Sequence, residues 1–260
     1  NTQYYMAYRK ADLKPRADED YTCHAIDPGL DLSLETDTRL TGGGLPTGPQ
    51  MLVYDLAITC TGEYGDYHGG TKALAQAAIV TSVNRITGLY ERDMTIRLVL
   101  VPNNDTLVFA DSLTDPFPCC NLGTSLGIGA DLIDSLIGPA NYDIGHTYCT
   151  YGGGGAANGV CESDKADGAT GLTNPVGDPF DVDYVSHEMG HQFYAGHTFN
   201  YCTGPGHIPH EPGSGSTILA YAGLCGTANM QNFSVDMFSV GSYQQSVTYT
   251  QTGFGNTCAT

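Results

Sequence analysis

The chain has 260 residues, 41% of them hydrophobic, enough to bury a sizeable core as one large domain or two closely packed lobes. Its 28 acidic and 10 basic side chains leave a formal net charge of −18, which argues against nucleic acid, whose phosphates would be repelled. No apolar run approaches the ~18 residues of a bilayer span, and the longest, "MLVYDLAITC", is broken by Asp55.

Residues 1–50 start with an aromatic stretch, become acidic, and end in the Gly/Pro cluster "TGGGLPTGPQ", the predicted boundary. They are expected to be an N-terminal extension or the remnant of a pro-region, with the main domain over 51–260. "MLVYDLAIT" then reads as a buried strand, being short, apolar and rich in branched or aromatic residues. "GTKALAQAAIVTSVNRITGLY" places apolar residues at 74, 77, 78, 79, 83 and 86, an amphipathic helix that Gly88 is expected to close. "MTIRLVLV" is a second strand stopped by Pro102, "TSLGIGADLIDSLIG" a second helix and "YDIGHTY" a third strand. Strands alternating with helices imply an α/β domain with a largely parallel sheet.

"TYGGGGAANGV" follows, between Cys149 and Cys161. It reads as a flexible loop and lacks the strand–GxGxxG–helix arrangement of a nucleotide site. After Tyr201 glycine, serine and proline are frequent, and the next helix is expected only in the last thirty residues.

The chemistry lies in "GDPFDVDYVSHEMGHQFYAGHTFN". Asp178 is expected to cap a helix over 179–193 that opens on Pro179, with Asp181 and Asp183 in the first turn near the positive end of the dipole. His187 and His191, four apart, share one face of that helix, so both imidazoles point to one spot. Glu188 sits beside the first of them, where it can reach a metal-bound water without being a ligand. This is the HExxH arrangement of zinc peptidases. A tetrahedral ion needs a third protein ligand, and His197 is the candidate, ten residues after His187.

With these residues the chain resembles the metzincin clan of zinc metalloproteases, whose motif is HExxHxxGxxH, and looks most like its secreted bacterial reprolysin-like (adamalysin-related) branch. The resemblance spans roughly residues 51–225, through "TGEYGDYHGG", "NRITGLYERDMTIRLVLVPNND", "NYDIGHTYCTYGGGG", "VGDPFDVDYVSHEMGHQF", "HTFN" and "GSGSTILAYAG". It implies a metzincin-like α/β catalytic domain: a mixed five-stranded twisted sheet, an active-site helix, and a smaller irregular C-terminal lobe. The upper lobe would cover 51–197 and the lower 198–260. The glycine run would lie near an edge strand that pairs with extended substrate.

The resemblance also implies a methionine-containing turn beneath the zinc, at "STILAYAG", where Leu219 replaces the methionine; such a swap conserves volume and typically costs under ~1.5 kcal/mol. Tyr221, two residues on, stands where astacin- and serralysin-like metzincins place a tyrosine beside the zinc. It either donates to the oxyanion of the tetrahedral intermediate or simply packs near the cleft.

The second departure is Tyr194, where the motif has glycine. There the helix must end and the chain reverse so that His197 reaches the metal. A left-handed tyrosine would cost ~1–2 kcal/mol, or the reversal could fall at Gly196. The expectation is a three-histidine site, with the Tyr194 ring packed on the lower lobe and away from the zinc.

Other groups carry less. His207, His210 and Glu211 in "GHIPHEPG" are expected in an exposed loop, and His146 and His68, without partners at ligand spacing, are expected to be structural. The acidic groups at 18–20 and 162–167 match no EF-hand pattern and read as solvated faces, which leaves calcium open as a second ion beside Zn2+. Nine cysteines suggest an oxidising compartment, and being odd in number they leave at least one thiol unpaired within the chain. Candidate disulfides are Cys202–Cys225 and Cys149–Cys161, while Cys23 either pairs or blocks a zinc as a pro-region thiolate.

The resulting expectation is a secreted, extracellular, monomeric zinc endopeptidase acting on polypeptides, with His187, His191 and His197 as ligands and Glu188 as general base. The alternative is a zinc-stabilised, non-catalytic binding or adhesion module. A third reading, an inactive zymogen fragment, rests on Cys23 and residues 1–50.

Overall fold

The computed structural model of the chain describes residues 50–118, 121–156, 158–202, 206 and 208–260. The N-terminal extension with Cys23 and the acidic group at 18–20 lies outside the described residues, as does His207.

Strand β1 (Leu52–Cys60) leads through a short helix α1 (Gly62–Tyr67) into helix α2 (Lys72–Met94) and strand β2 (Ile96–Leu100). Helix α2 does not stop at Gly88. Its apolar stripe continues through the buried Leu89, Tyr90 and Met94, and the turn is made by Thr95 in left-handed backbone (φ 58°). A glycine with open space around it weakens a helix but does not end one whose next turn still has a face to bury. Helix α3 (Leu122–Leu136), capped by the Asn121 side chain, precedes strand β3 (Ile144–Cys149).

The glycine run, expected as a loop, is itself strand β4 (Gly153–Ala156), and strand β5 (Gly168–Gly171) pairs with it. The strand order is β2-β1-β3-β5-β4, parallel throughout except for β4, which runs antiparallel along one edge. The sheet is mixed and five-stranded, as an α/β metzincin-like catalytic domain requires.

Alternation along β1 assigns the two faces. Tyr54, Leu56, Ile58 and Cys60 point into the large core shared with Ile79, Val83 and Ile86 of α2 and with Val185, Met189 and Phe193. Ala57 points the other way, into a smaller cluster with Ile133 and Ile137 around the end of α3. At ~1.5–3 kcal/mol per large buried apolar side chain, the first cluster is the main stabilising term.

That larger cluster carries the segment with the histidines. It starts with a single turn α4 (Asp178–Phe180), passes through a π-helical turn at Asp181–Val185, and continues as helix α5 (Ser186–Gln192). The residue before it, Gly177, makes no side-chain cap. Asp178 is not the cap: its carboxylate accepts from the Arg85 guanidinium at 2.7 and 3.0 Å. Asp181 and Asp183 are buried, and burial pushes the Asp181 carboxyl up to about 6.

Helix α6 (Val240–Thr252) closes the chain, and Thr260 exchanges two backbone bonds with Val53 at 2.9 and 3.1 Å. No helix among the described residues is long and apolar enough to cross a membrane.

Candidate metal centre

Helix α5 brings His187 and His191 to one face, and the chain reversal after it returns His197 to the same point. The three Nε2 atoms lie 3.1–3.2 Å apart, all on buried rings. A tetrahedral ion with ~2.0–2.1 Å metal–nitrogen bonds sets its donors ~3.3–3.4 Å apart, so the residues present fit such an ion closely. Two of the rings are fixed by backbone acceptors: His187 Nδ1–H donates to Ile218 O and His191 Nδ1–H to Ala195 O, each at 2.7 Å. Those bonds make Nε2 the lone-pair nitrogen of each ring and turn it toward the point where the three imidazoles converge, the usual outer arrangement of a metal-binding imidazole. Among the described residues, this trio is the one group of His, Cys, Asp or Glu that converges as metal ligands would.

The reversal falls at Tyr194, which takes φ 63°; Gly196 does not adopt left-handed backbone. Tyr194 N–H donates to His191 O (2.9 Å) and Ala195 N–H to Gly190 O (3.0 Å), the bond pair of a Schellman ending. The ring stacks on Tyr249 of α6 at 4.1 Å and its hydroxyl donates to Glu162, well away from the three imidazoles.

Glu188 is fully buried beside the histidines. Its carboxylate lies against the backbone of β4, where a Cβ added to Gly154 would fall 2.1 Å from Oε1. The glycine run therefore gives this carboxylate its room, a role with no signature in composition.

Leu219 is buried beneath α5, packed where a Cβ on Gly190 would sit 2.8 Å from its Cδ2, and its carbonyl accepts from Thr198 N–H at 3.1 Å. The Tyr221 ring is 4.8 Å from His197 and 5.8 Å from His187, centroid to centroid.

Several outlying residues depart from expectation. Glu211 is buried, not on an exposed loop, whereas His210 is exposed. The Glu211 carboxylate accepts from Thr198, Thr217 and the Ser216 backbone, tying the segment after His197 to the one before Leu219. Burial opposes its ionisation, but the hydrogen bonds outweigh it and hold the group below the usual glutamate range. The 162–167 segment is only partly solvated: Glu162 bonds Tyr194 and Asp167 accepts from Asn158. His146 is fully buried between Gln192 and Thr170, and burial lowers it to about 4, so it is a neutral strut between β3 and the helix. His68 is half-buried against Tyr64 and Tyr67.

Cys202 and Cys225 form a disulfide. The Cys149–Cys161 pairing is not formed. Cys149 closes β3 with its thiol buried among Leu122 and Ala169, while Cys161 faces the chain end and pairs with Cys258, their Cα atoms 5.5 Å apart. The fold brings Cys258 to Cys161 across 97 residues, which spacing in sequence does not show.

Comparison with protein families matches residues 51–249 to the reprolysin-like model of metallopeptidase family M12B. Comparison with curated proteins gave no match. A solved structure described as "Structure of a chaperone-substrate complex" is similar at 13% identity and a TM-score of 0.45, over 79% of this chain and 35% of that one, so the chain spans about a third of its length. The match runs from β1 through the histidine helix into α6, and the chain accordingly belongs to the reprolysin-like metallopeptidases of family M12B.

Proposed function

We infer that the chain is a secreted endopeptidase in which His187, His191 and His197 hold the zinc and Glu188 is the general base. The observation that carries this is the position of Glu188: buried, next to the imidazoles without belonging to the converging trio, and pressed against β4, an edge strand of the sheet among the described residues. A purely structural metal site needs no such carboxylate, which weighs against a binding or adhesion module.

Zinc in this position supplies Lewis acidity toward water and the scissile carbonyl. Substrate adds to the outer edge of β4 as an extended strand, its backbone aligned by hydrogen bonds. Glu188 takes the proton of the attacking water and passes it to the leaving amine. The Tyr221 phenol donates to the oxygen that becomes negative. Leu219 forms the apolar floor under the imidazoles. Two disulfides suit an oxidising, extracellular setting. The working form is a monomer, and polypeptides are the substrates.

Glu188→Ala separates the roles. It should keep zinc at the wild-type stoichiometry and lose hydrolysis of a denatured protein by at least ~100-fold, whereas His191→Ala should lose the metal. A Glu188→Ala protein that loses its zinc as readily as His191→Ala contradicts the assignment.

A further inference from the structure

Tyr194 occupies strained backbone in the turn that joins two of the metal-binding imidazoles. The Ala195 carbonyl next to it receives the Nδ1–H of His191, and three residues on the chain delivers His197. Wherever this turn moves, both rings move.

The side chain is held at several points. Its hydroxyl donates to Glu162 Oε1 at 2.6 Å, and the other oxygen of Glu162 accepts from Gly159 N–H at 3.0 Å. The ring lies nearly parallel to Tyr249 (16°), and the Tyr249 hydroxyl donates to Val160 O at 2.7 Å. Gly159 makes room for both rings, since a Cβ there would sit 2.4 Å from Tyr194 and 2.5 Å from the Tyr249 hydroxyl. The 159–162 segment is in turn anchored by Val160 N–H on Gln192 O (2.9 Å) and by the Cys161–Cys258 bond. On the far side of the turn, Gly196 N–H donates to the Gln245 side chain of α6 at 2.9 Å. Burial, and then the neighbouring Glu162, push the Tyr194 hydroxyl up to about 12, so it remains a donor at neutral pH.

We propose that Glu162 and Tyr249 are positioning residues for the metal centre, acting through Tyr194 as a clamp that fixes where the chain leaves the helix and so where His191 and His197 point. This rests on the reading of the three histidines as zinc ligands. A glycine at this turn would take left-handed backbone without strain and would need no clamp. A tyrosine, which resists it, is held there by a carboxylate, a stacked ring and the C-terminal helix, so α6 is part of the scaffold of the metal site.

The test is a double-mutant cycle read as zinc affinity, by competition with a chromophoric chelator, with circular dichroism to check folding. Tyr194→Phe removes one hydroxyl and keeps the ring, so it is the lead variant; Glu162→Ala removes the acceptor. Each should weaken zinc binding by roughly tenfold, the low end for loss of an outer-shell partner. The double variant Tyr194→Phe/Glu162→Ala should be no weaker than the poorer single variant. In a Tyr194→Gly background, which should itself bind within several-fold of wild type, Glu162→Ala should change affinity less than twofold. Additive losses, wild-type affinity in Tyr194→Phe, or an equal effect of Glu162→Ala in both backgrounds overturns the clamp. If the unmodified chain binds no zinc at all, the metal-site reading fails first and the clamp with it.

Discussion

Replacing Gly154 by alanine should disable hydrolysis without emptying the metal site. The added Cβ would fall 2.1 Å from Glu188 Oε1, 2.2 Å from its Cγ and 2.3 Å from its Cδ. Ordinary non-bonded contacts need about 3.5 Å or more, so either β4 or the carboxylate must retreat by more than about 1 Å. A displacement of that size at a catalytic group costs on the order of 100-fold. Overpacking of this kind also costs about 1–3 kcal/mol of stability, which a domain of this size can absorb. His187 and His191 are fixed by the Ile218 and Ala195 carbonyls and not by β4, so their geometry should not change. The assay pairs zinc content per chain with kcat/KM on a quenched peptide. We expect one zinc retained and kcat/KM down roughly 100-fold. Turnover within threefold of wild type would mean that Glu188 is not the base, or that its contact with β4 does not constrain it. Loss of zinc together with turnover would mean that β4 supports the whole site and not this carboxylate alone.

Tyr221→Phe should lower kcat by about tenfold or more while leaving KM within about twofold, because a hydrogen bond to a developing oxyanion acts in the transition state; unchanged kinetics would leave Tyr221 a packing residue. Asp181→Asn should stabilise the protein at neutral pH. Burial holds the carboxyl at about 6 against an ordinary 3.8, so the folded state binds its proton more tightly than the unfolded chain does. Stability from this group is therefore lost as pH rises from about 4 to 6, and the asparagine should recover up to ~3 kcal/mol above pH 6 and nothing below pH 4. Thermal unfolding followed from pH 3.5 to 8 checks this, and an equal shift at every pH would contradict it.

The meeting of His187 and His191 was legible because it is local. His187, Glu188 and His191 lie within one and a half turns of a helix, and the helical period alone puts the two imidazoles together. The three longest strands and the two longest of the first helices were legible for the same reason, each carrying its own apolar pattern. Strands β4 and β5 were not, since "GGGA" and "GATG" have almost no side chains to pattern, and what makes them strands is their mutual pairing and the Glu188 carboxylate pressed against Gly154. Gly88 misled because the packing of Tyr90 against the distant Phe238, and the burial of Met94 in the main core, carry α2 past it. The same holds for Glu211 and Cys161. Their partners, Thr198 and Thr217 in one case and Cys258 in the other, are brought to them by the fold and not by spacing. At Tyr194 the strain was legible from a residue type in a turn, whereas Glu162 and Tyr249, which hold it, lie 32 residues before it and in the final helix.

The central claim, a three-histidine zinc centre that hydrolyses peptide bonds, is tested most directly by measuring metal content and peptide hydrolysis on the same sample before chelation, after it, and after zinc is restored. The account predicts close to one zinc per chain, hydrolysis abolished when the metal is removed, and hydrolysis regained when zinc is returned. Hydrolysis that persists in protein verified to be free of metal would contradict it.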